Sequence, residues 1–292
     1  MNYLICLGSS KQQQNHIKNL MIHFVEVALI WALPAILINK LIFYMIYKIG
    51  GNHECIVDVA YSISHLVAGM VYFIFSTIST PGKIINILLV AFWSLRLGGF
   101  LCVTRVLAGF KDERYDNIFR EYNADKFKKE VMVLVQFMFQ GLIVFVTSIP
   151  LYFLFLNDLT WKPEDFNGLN VMNYIALSII PFSICLEATA DIQLEKFKKQ
   201  KQQGLIPRED LMETGLWRRS RHPNLFFDLV TWFCFALAAI NDAISLCALI
   251  GPIALFCVME FLTTPLTEAH MKKKRADTYA QYVARTNKYL VM

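Results

Sequence analysis

Charged side chains interrupt several long apolar runs of the sequence, and each needs either a partner or a task. Asp58 and His65 stand seven residues apart in one run, which puts them on one face of a helix. Arg96 lies mid-run in the next. Glu187 and Asp191 are four apart, again on one face, with Gln193 close by, and Asp228 and Glu260 interrupt two later runs. An ionised group in hydrocarbon costs several kcal/mol or so unless paired or hydrated, so such residues are functional candidates. The competing expectation is structural ion pairing between helices, for example of Arg96 with Asp58 or Glu187. Glu187 and Asp191 open directly into the most basic loop of the chain. Carboxylates there can accept hydrogen bonds from ribose or amide groups while neighbouring cations hold phosphates.

The densest polar string follows that loop. Thr214 to Asn224 reads TGLWRRSRHPN and holds three arginines, a histidine, a tryptophan and hydroxyls just before an apolar run. Arginine offers permanently charged, bidentate donors suited to phosphate. Trp217 can stack on a flat ring, and Pro223 pre-sets the first turn of a following helix. Physical chemistry alone makes this an anion or headgroup patch. No Walker loop, GxGxxG, HExxH or HxxxH occurs, so metal chemistry and soluble-type nucleotide folds are unsupported and no metal ligands are assigned.

The elements that must position these residues are membrane helices. Of the 292 residues, 56% are hydrophobic and 17% charged, and the mean hydropathy is +0.43. An average soluble domain is roughly 45–50% apolar and about 25% charged. The excess is concentrated in continuous blocks rather than alternating ones, which predicts helices of about 20 residues and not barrel strands. Seven blocks fall at 21–47, 56–79, 84–107, 131–156, 169–194, 225–240 and 243–266, the sixth being short and joined to the seventh only by Asn241 and Asp242. The expected fold is all-α: a polytopic membrane protein with about seven transmembrane helices plus interfacial amphipathic helices. Residues 1–20 form an N-terminal polar segment and 21–292 a single membrane domain. If seven blocks cross, the side holding the N-terminus, 80–83, 157–168 and 241–242 carries four of the 28 Lys and Arg residues. The side holding 48–55, 108–130, 195–224 and the tail carries 21. That asymmetry makes the basic side cytosolic, or matrix-facing in a mitochondrial membrane, with the N-terminus opposite.

Two basic loops have helical spacing of apolar residues: Tyr115, Ile118, Phe119 and Tyr122 in 112–127, and Tyr279, Tyr282, Val283, Tyr289 and Leu290 in the tail. They predict amphipathic helices resting on lipid or closing over a pocket. The basic clusters adjoin membrane segments, so anionic headgroups or cofactor phosphates are nearer partners than nucleic acid. The seven cysteines include no CxxC pair and read as packing residues.

The motifs closely resemble the steroid 5α-reductase-like superfamily, in its branch of largely unassigned substrate. The resemblance rests on Glu187-x-x-x-Asp191-x-Gln193 and on Thr214-Gly215-Leu216-Trp217-x-x-Ser220-Arg221-His222-Pro223-Asn224. Asp58-Val59-Ala60-Tyr61, Trp93-Ser94-Leu95-Arg96-Leu97, Asp112-Glu113-Arg114-Tyr115, Gln136 with Gln140-Gly141, and Glu268 with Tyr279, Tyr282 and Thr286 extend it over about 56–290. The resemblance implies a seven-helix fold whose cofactor-type half spans 169–290. It implies NADPH at the cytosolic side, reducing an activated carbon–carbon double bond of a lipid or sterol substrate. Glu187, Asp191, Arg218, Arg221, His222, Asn224 and Glu268 would line the cofactor site, with Asp58 and Arg96 as catalytic candidates at the substrate end. After Asn224 the family usually continues Tyr-x-Gly-Glu; here Leu225-Phe226-Phe227-Asp228 stands in its place. That departure sets up a second expectation: a catalytically inert relative serving as a subunit among other membrane-protein subunits. The membranes expected are the endoplasmic reticulum or the mitochondrial inner membrane.

Overall fold

A computed structural model describes residues 15, 17–51, 53–109, 119–120, 122, 125–156, 168–207 and 210–291. The described residues are helical, with no strand and one isolated β-bridge. Six helices are long and apolar enough to cross a membrane. We label them α1 (Ile17–Ile49), α2 (Ile56–Phe75), α3 (Thr80–Leu107), α4 (Lys126–Leu154), α5 (Gly168–Gln202) and, after one shorter helix, α7 (Ser245–Lys273). The shorter apolar helix between them, α6, is Pro223–Ala239. The chain is an integral membrane protein with six long helices among the described residues; the sixth sequence block is the exception to a simple count of seven. At 17 residues α6 spans about 26 Å, less than a hydrocarbon core of about 30 Å. A final surface helix, α8 (Ala276–Arg285), lies in the tail.

The helices pack where their small and apolar faces allow. α5 lies along α6, α2 against α3, and α1 against α2 and α4. The main core joins α1 to α7 through buried Ile36, Trp93, Val144, Leu151, Ile180 and Trp232. α4 bends at Ser148, where Pro150 begins the next turn and the helix register resets. Gly251 of α7 fits against that bend, since a Cβ there would sit 2.4 Å from Pro150 Cδ.

Ion pairs at the helix ends fix which ends share a face. Lys48, near the end of α1, pairs with Glu130 at the start of α4, and Asp58 at the start of α2 pairs with Arg105 at the end of α3. At the opposite end Trp31 stacks on Phe75 with ring centroids 5.7 Å apart, and Asn86 donates to Leu154 O at 3.1 Å. The turn joining α6 to α7 is capped by its own side chains. Asp242 Oδ1 accepts from Ile244 N and Ser245 N at 3.0 and 2.7 Å.

Most of the amphipathic stretch 112–127 lies outside the described residues, as do most of residues 1–20. Phe119 is buried with Tyr47, Ile56 and Phe137, while Tyr122 is exposed. In the tail, α8 turns Tyr279 and Tyr282 inward against Leu211 and Met271. It therefore docks on protein, and Tyr289 and Leu290 lie beyond its end.

Candidate functional site

The carboxylates of α5 meet the arginine of α3. Arg96 Nη1 donates to Asp191 Oδ2 at 2.9 Å, and its Nη2 lies against Glu187 Oε2 as an ion contact. The four-residue spacing of Glu187 and Asp191 places both on the face that looks at α3. Asp191 Oδ1 also accepts from Asn224 Nδ2 at 3.1 Å, which ties in the first turn of α6. One turn further along α6, Asp228 Oδ1 accepts from Trp93 Nε1 at 2.9 Å. Trp93 precedes Arg96 by three residues, so α3 serves both contacts from one face. Glu187, Asp191 and Asp228 are all buried. Three carboxylates face one guanidinium, which makes the cluster rich in acceptors and suited to hydroxyl or amide donors.

The string 214–224 forms a second node. Gly215 has φ +59°, and an added Cβ would lie 2.6 Å from the Gln193 amide. The turn thus brings the backbone onto Gln193, whose Oε1 accepts from Leu216 N at 3.1 Å. Trp217 Nε1 donates to Ala190 O at 2.9 Å, so Trp217 is a strut against α5 with its indole buried. Arg221 Nε and His222 Nε2 both meet Glu268 Oε1 of α7 at 3.0 Å. Arg221 Nη1 also donates to Thr286 O at 2.7 Å. Arg218 is exposed on the turn Gly215–Arg218. Tyr282 OH donates to Trp217 O at 2.6 Å. Burial raises the Tyr282 phenol, and burial with Glu268 nearby pushes Tyr279 up to about 12, so both remain neutral near pH 7.

Asp58 and Arg96 are not brought together. Asp58 pairs with Arg105 at 2.5 Å, about a third exposed on each side, at the basic rim. Of the pairings expected for Arg96, the one with Glu187 forms and the one with Asp58 does not. Asp58 and His65 differ in setting, two turns apart on α2. His65 is fully buried, with Nδ1 3.0 Å from Tyr61 O and Nε2 2.8 Å from Thr147 Oγ1. Those contacts fit a neutral ring that donates to the carbonyl and accepts from the hydroxyl. Tyr61, Trp93 and Trp232 surround it with centroids at 4.7, 5.2 and 4.6 Å.

Lys40, one of three basic residues inside the apolar blocks with Arg96 and Arg105, was not among the expected site residues. Its side chain is fully buried, and Nζ donates to Gln140 Oε1 at 2.5 Å with no carboxylate in ion-pair reach among the described residues. The available signal was a lysine well inside a continuous apolar run. Trp93 was legible only as part of a motif, and its bond to Asp228 depends on packing between distant helices.

The chain belongs to the family described as a protein of unknown function, DUF1295, whose model matches residues 43–286. No curated protein and no solved structure matches it.

Proposed function

We propose that this DUF1295 chain is a steroid 5α-reductase-like membrane protein that binds NADPH at its basic face and reduces a carbon–carbon double bond of a lipid or sterol. The observation that carries the reading is the convergence of Glu187 and Asp191 of α5 and Asn224 in the first turn of α6 on Arg96 of α3. The donor set suits the cofactor. Buried carboxylates accept from ribose hydroxyls or a carboxamide, and exposed Arg218 offers a phosphate donor beside Arg221 and His222. When bound, NADPH supplies a hydride. Glu187, Asp191 and Asn224 would orient it and Arg221, His222 and Glu268 would frame its phosphate end; of the two catalytic candidates, Arg96 would act from its place against Glu187 and Asp191, while Asp58 stands apart with Arg105 at the rim. The membrane proposed is the endoplasmic reticulum or the mitochondrial inner membrane, with the N-terminus opposite the basic face.

One observation favours a second reading, an inert structural subunit of a larger membrane complex. Glu187, Asp191, Arg221, His222 and Glu268 all already hold partners within the chain, and bulky Phe227 stands where the related string has glycine.

NADPH binding to the purified protein in lipid nanodiscs separates the two, with Arg221→Ala as control. Saturable binding that the control loses supports the reductase. No binding, together with co-purification in a large membrane complex, replaces it with the subunit.

A further inference from the structure

The tail beyond α8 turns back and lies along the polar string. Arg221 N donates to Asn287 O at 2.8 Å and His222 N to Lys288 O at 3.1 Å, around a parallel bridge between Ser220 and Asn287. Ser220 Oγ donates to Lys288 O at 3.2 Å, and Arg221 Nη1 holds Thr286 O. The tail is pinned on its other side by α7. Lys288 Nζ donates to Glu260 Oε1 at 2.6 Å, and the hydroxyls of Tyr289 and Thr264 are 2.9 Å apart.

One feature makes this more than an ordinary packing contact. The carbonyls of the tail take up the groups an anion would use: the Arg221 guanidinium and the two successive amides of Arg221 and His222. Backbone carbonyls are weaker acceptors than phosphate oxygens for a guanidinium. The pins are modest as well. The Lys288–Glu260 pair is about 30% exposed on each side, a setting in which solvent screens an ion pair and leaves it weak.

We infer that residues 286–289 form a displaceable strap, which occupies the phosphate-binding groups of the string and must lift for a phosphate-bearing ligand to enter. The inference rests on the reading of this string as a dinucleotide-phosphate site. The strap lowers apparent affinity by the fraction of molecules in which it is lifted.

Two measurements test it. The first compares NADPH binding to the full chain, to a chain ending at Arg285, and to Lys288→Glu, which sets like charges against Glu260. Ending at Arg285 keeps α8 and the Tyr282 bond to Trp217, and Lys288→Glu serves if the shortened chain does not fold. A strap closed about nine-tenths of the time gives about tenfold tighter binding without it, with Lys288→Glu in between. Equal or weaker binding by both variants, with the full chain still binding, overturns the strap and leaves the cofactor reading intact. The second is native-state hydrogen exchange in the full chain, which needs no ligand. The amides of Arg221 and His222 should exchange by local opening, far faster than those in the middle of α6. Exchange as slow as α6 overturns the strap even where NADPH binds. If no form binds NADPH, the cofactor reading falls, and exchange alone decides whether the strap lifts.

Discussion

Arg96 is the residue whose removal has the sharpest consequence. It compensates Glu187 and Asp191 in a nearly water-free setting. Taking one partner from a buried pair costs about 3–5 kcal/mol, because the other charge stays buried. Arg96→Met is therefore expected to lower thermal stability in detergent by that order, and Asp58→Asn, at the half-exposed rim with Arg105, by about 1 kcal/mol or less. Lys40 gives the opposite sign. Its only hydrogen bond among the described contacts is to Gln140, and no carboxylate is within ion-pair reach there. The double variant Lys40→Met/Gln140→Leu removes both polar partners together. It should be at least as stable as the parent, read as midpoint temperature in the same detergent. A loss of several kcal/mol would show that Lys40 compensates a charge elsewhere. The residues of the candidate site were legible from spacing: Glu187 with Asp191, and the string ending in Asn224. Arg96 with Glu187 was one of two pairings open to it, but the choice between Glu187 and Asp58 was not readable, because Arg96 lies about ninety residues from Glu187 and nothing local encodes which helix faces which.

Among the elements, α8 and the bend of α4 are the informative ones. The tyrosine spacing of the tail predicted an amphipathic helix, and the helix forms. Its inward side was not readable, since Tyr279 and Tyr282 serve equally well against lipid or protein. Tyr282→Phe removes the bond to Trp217 O and should cost about 1 kcal/mol, seen as faster tryptic cleavage after Arg285. The docking also has an alkaline limit. A phenol whose folded pKa is raised contributes stability that is complete below its ordinary value near 10 and is lost as pH rises through the folded value. Tyr279, raised to about 12, thus predicts that α8 loosens between about pH 10 and 12. Unchanged proteolysis across that window would remove Tyr279 from the docking. The fit of Gly251 against Pro150 had no sequence signal, because a close approach of two helices leaves none in either helix alone. Gly251→Ala is expected to cost about 1–3 kcal/mol by overpacking.

For the whole molecule, parity of crossing is the deciding question, and α6 is where it turns. Loop charge placed the 195–224 loop and the tail on one side only if both the sixth and seventh blocks cross. With α6 about 26 Å long, composition leaves that open. The tail's contacts close the argument without deciding how deep α6 reaches. Asn287 and Lys288 bond to Arg221 and His222, so α6 and α7 leave one face and return to it. α7, at 29 residues, is long enough to cross, and the Asn241–Ser245 turn carries its own caps, as a turn far from the basic loops requires. The end of the 195–224 loop and the tail therefore lie at one end of the helix bundle whether α6 crosses fully or stops short. The test uses three epitope tags in sealed vesicles: one at the N-terminus, one inserted after Gly204, one at the C-terminus. The latter two should be protected or cleaved together, and the N-terminal tag should behave oppositely. Split behaviour of the Gly204 and C-terminal tags would break the α6–α7 hairpin. All three behaving alike would instead require an even number of crossings before Gly204, and would undo the pairing of helix ends made by Lys48–Glu130 and Asp58–Arg105.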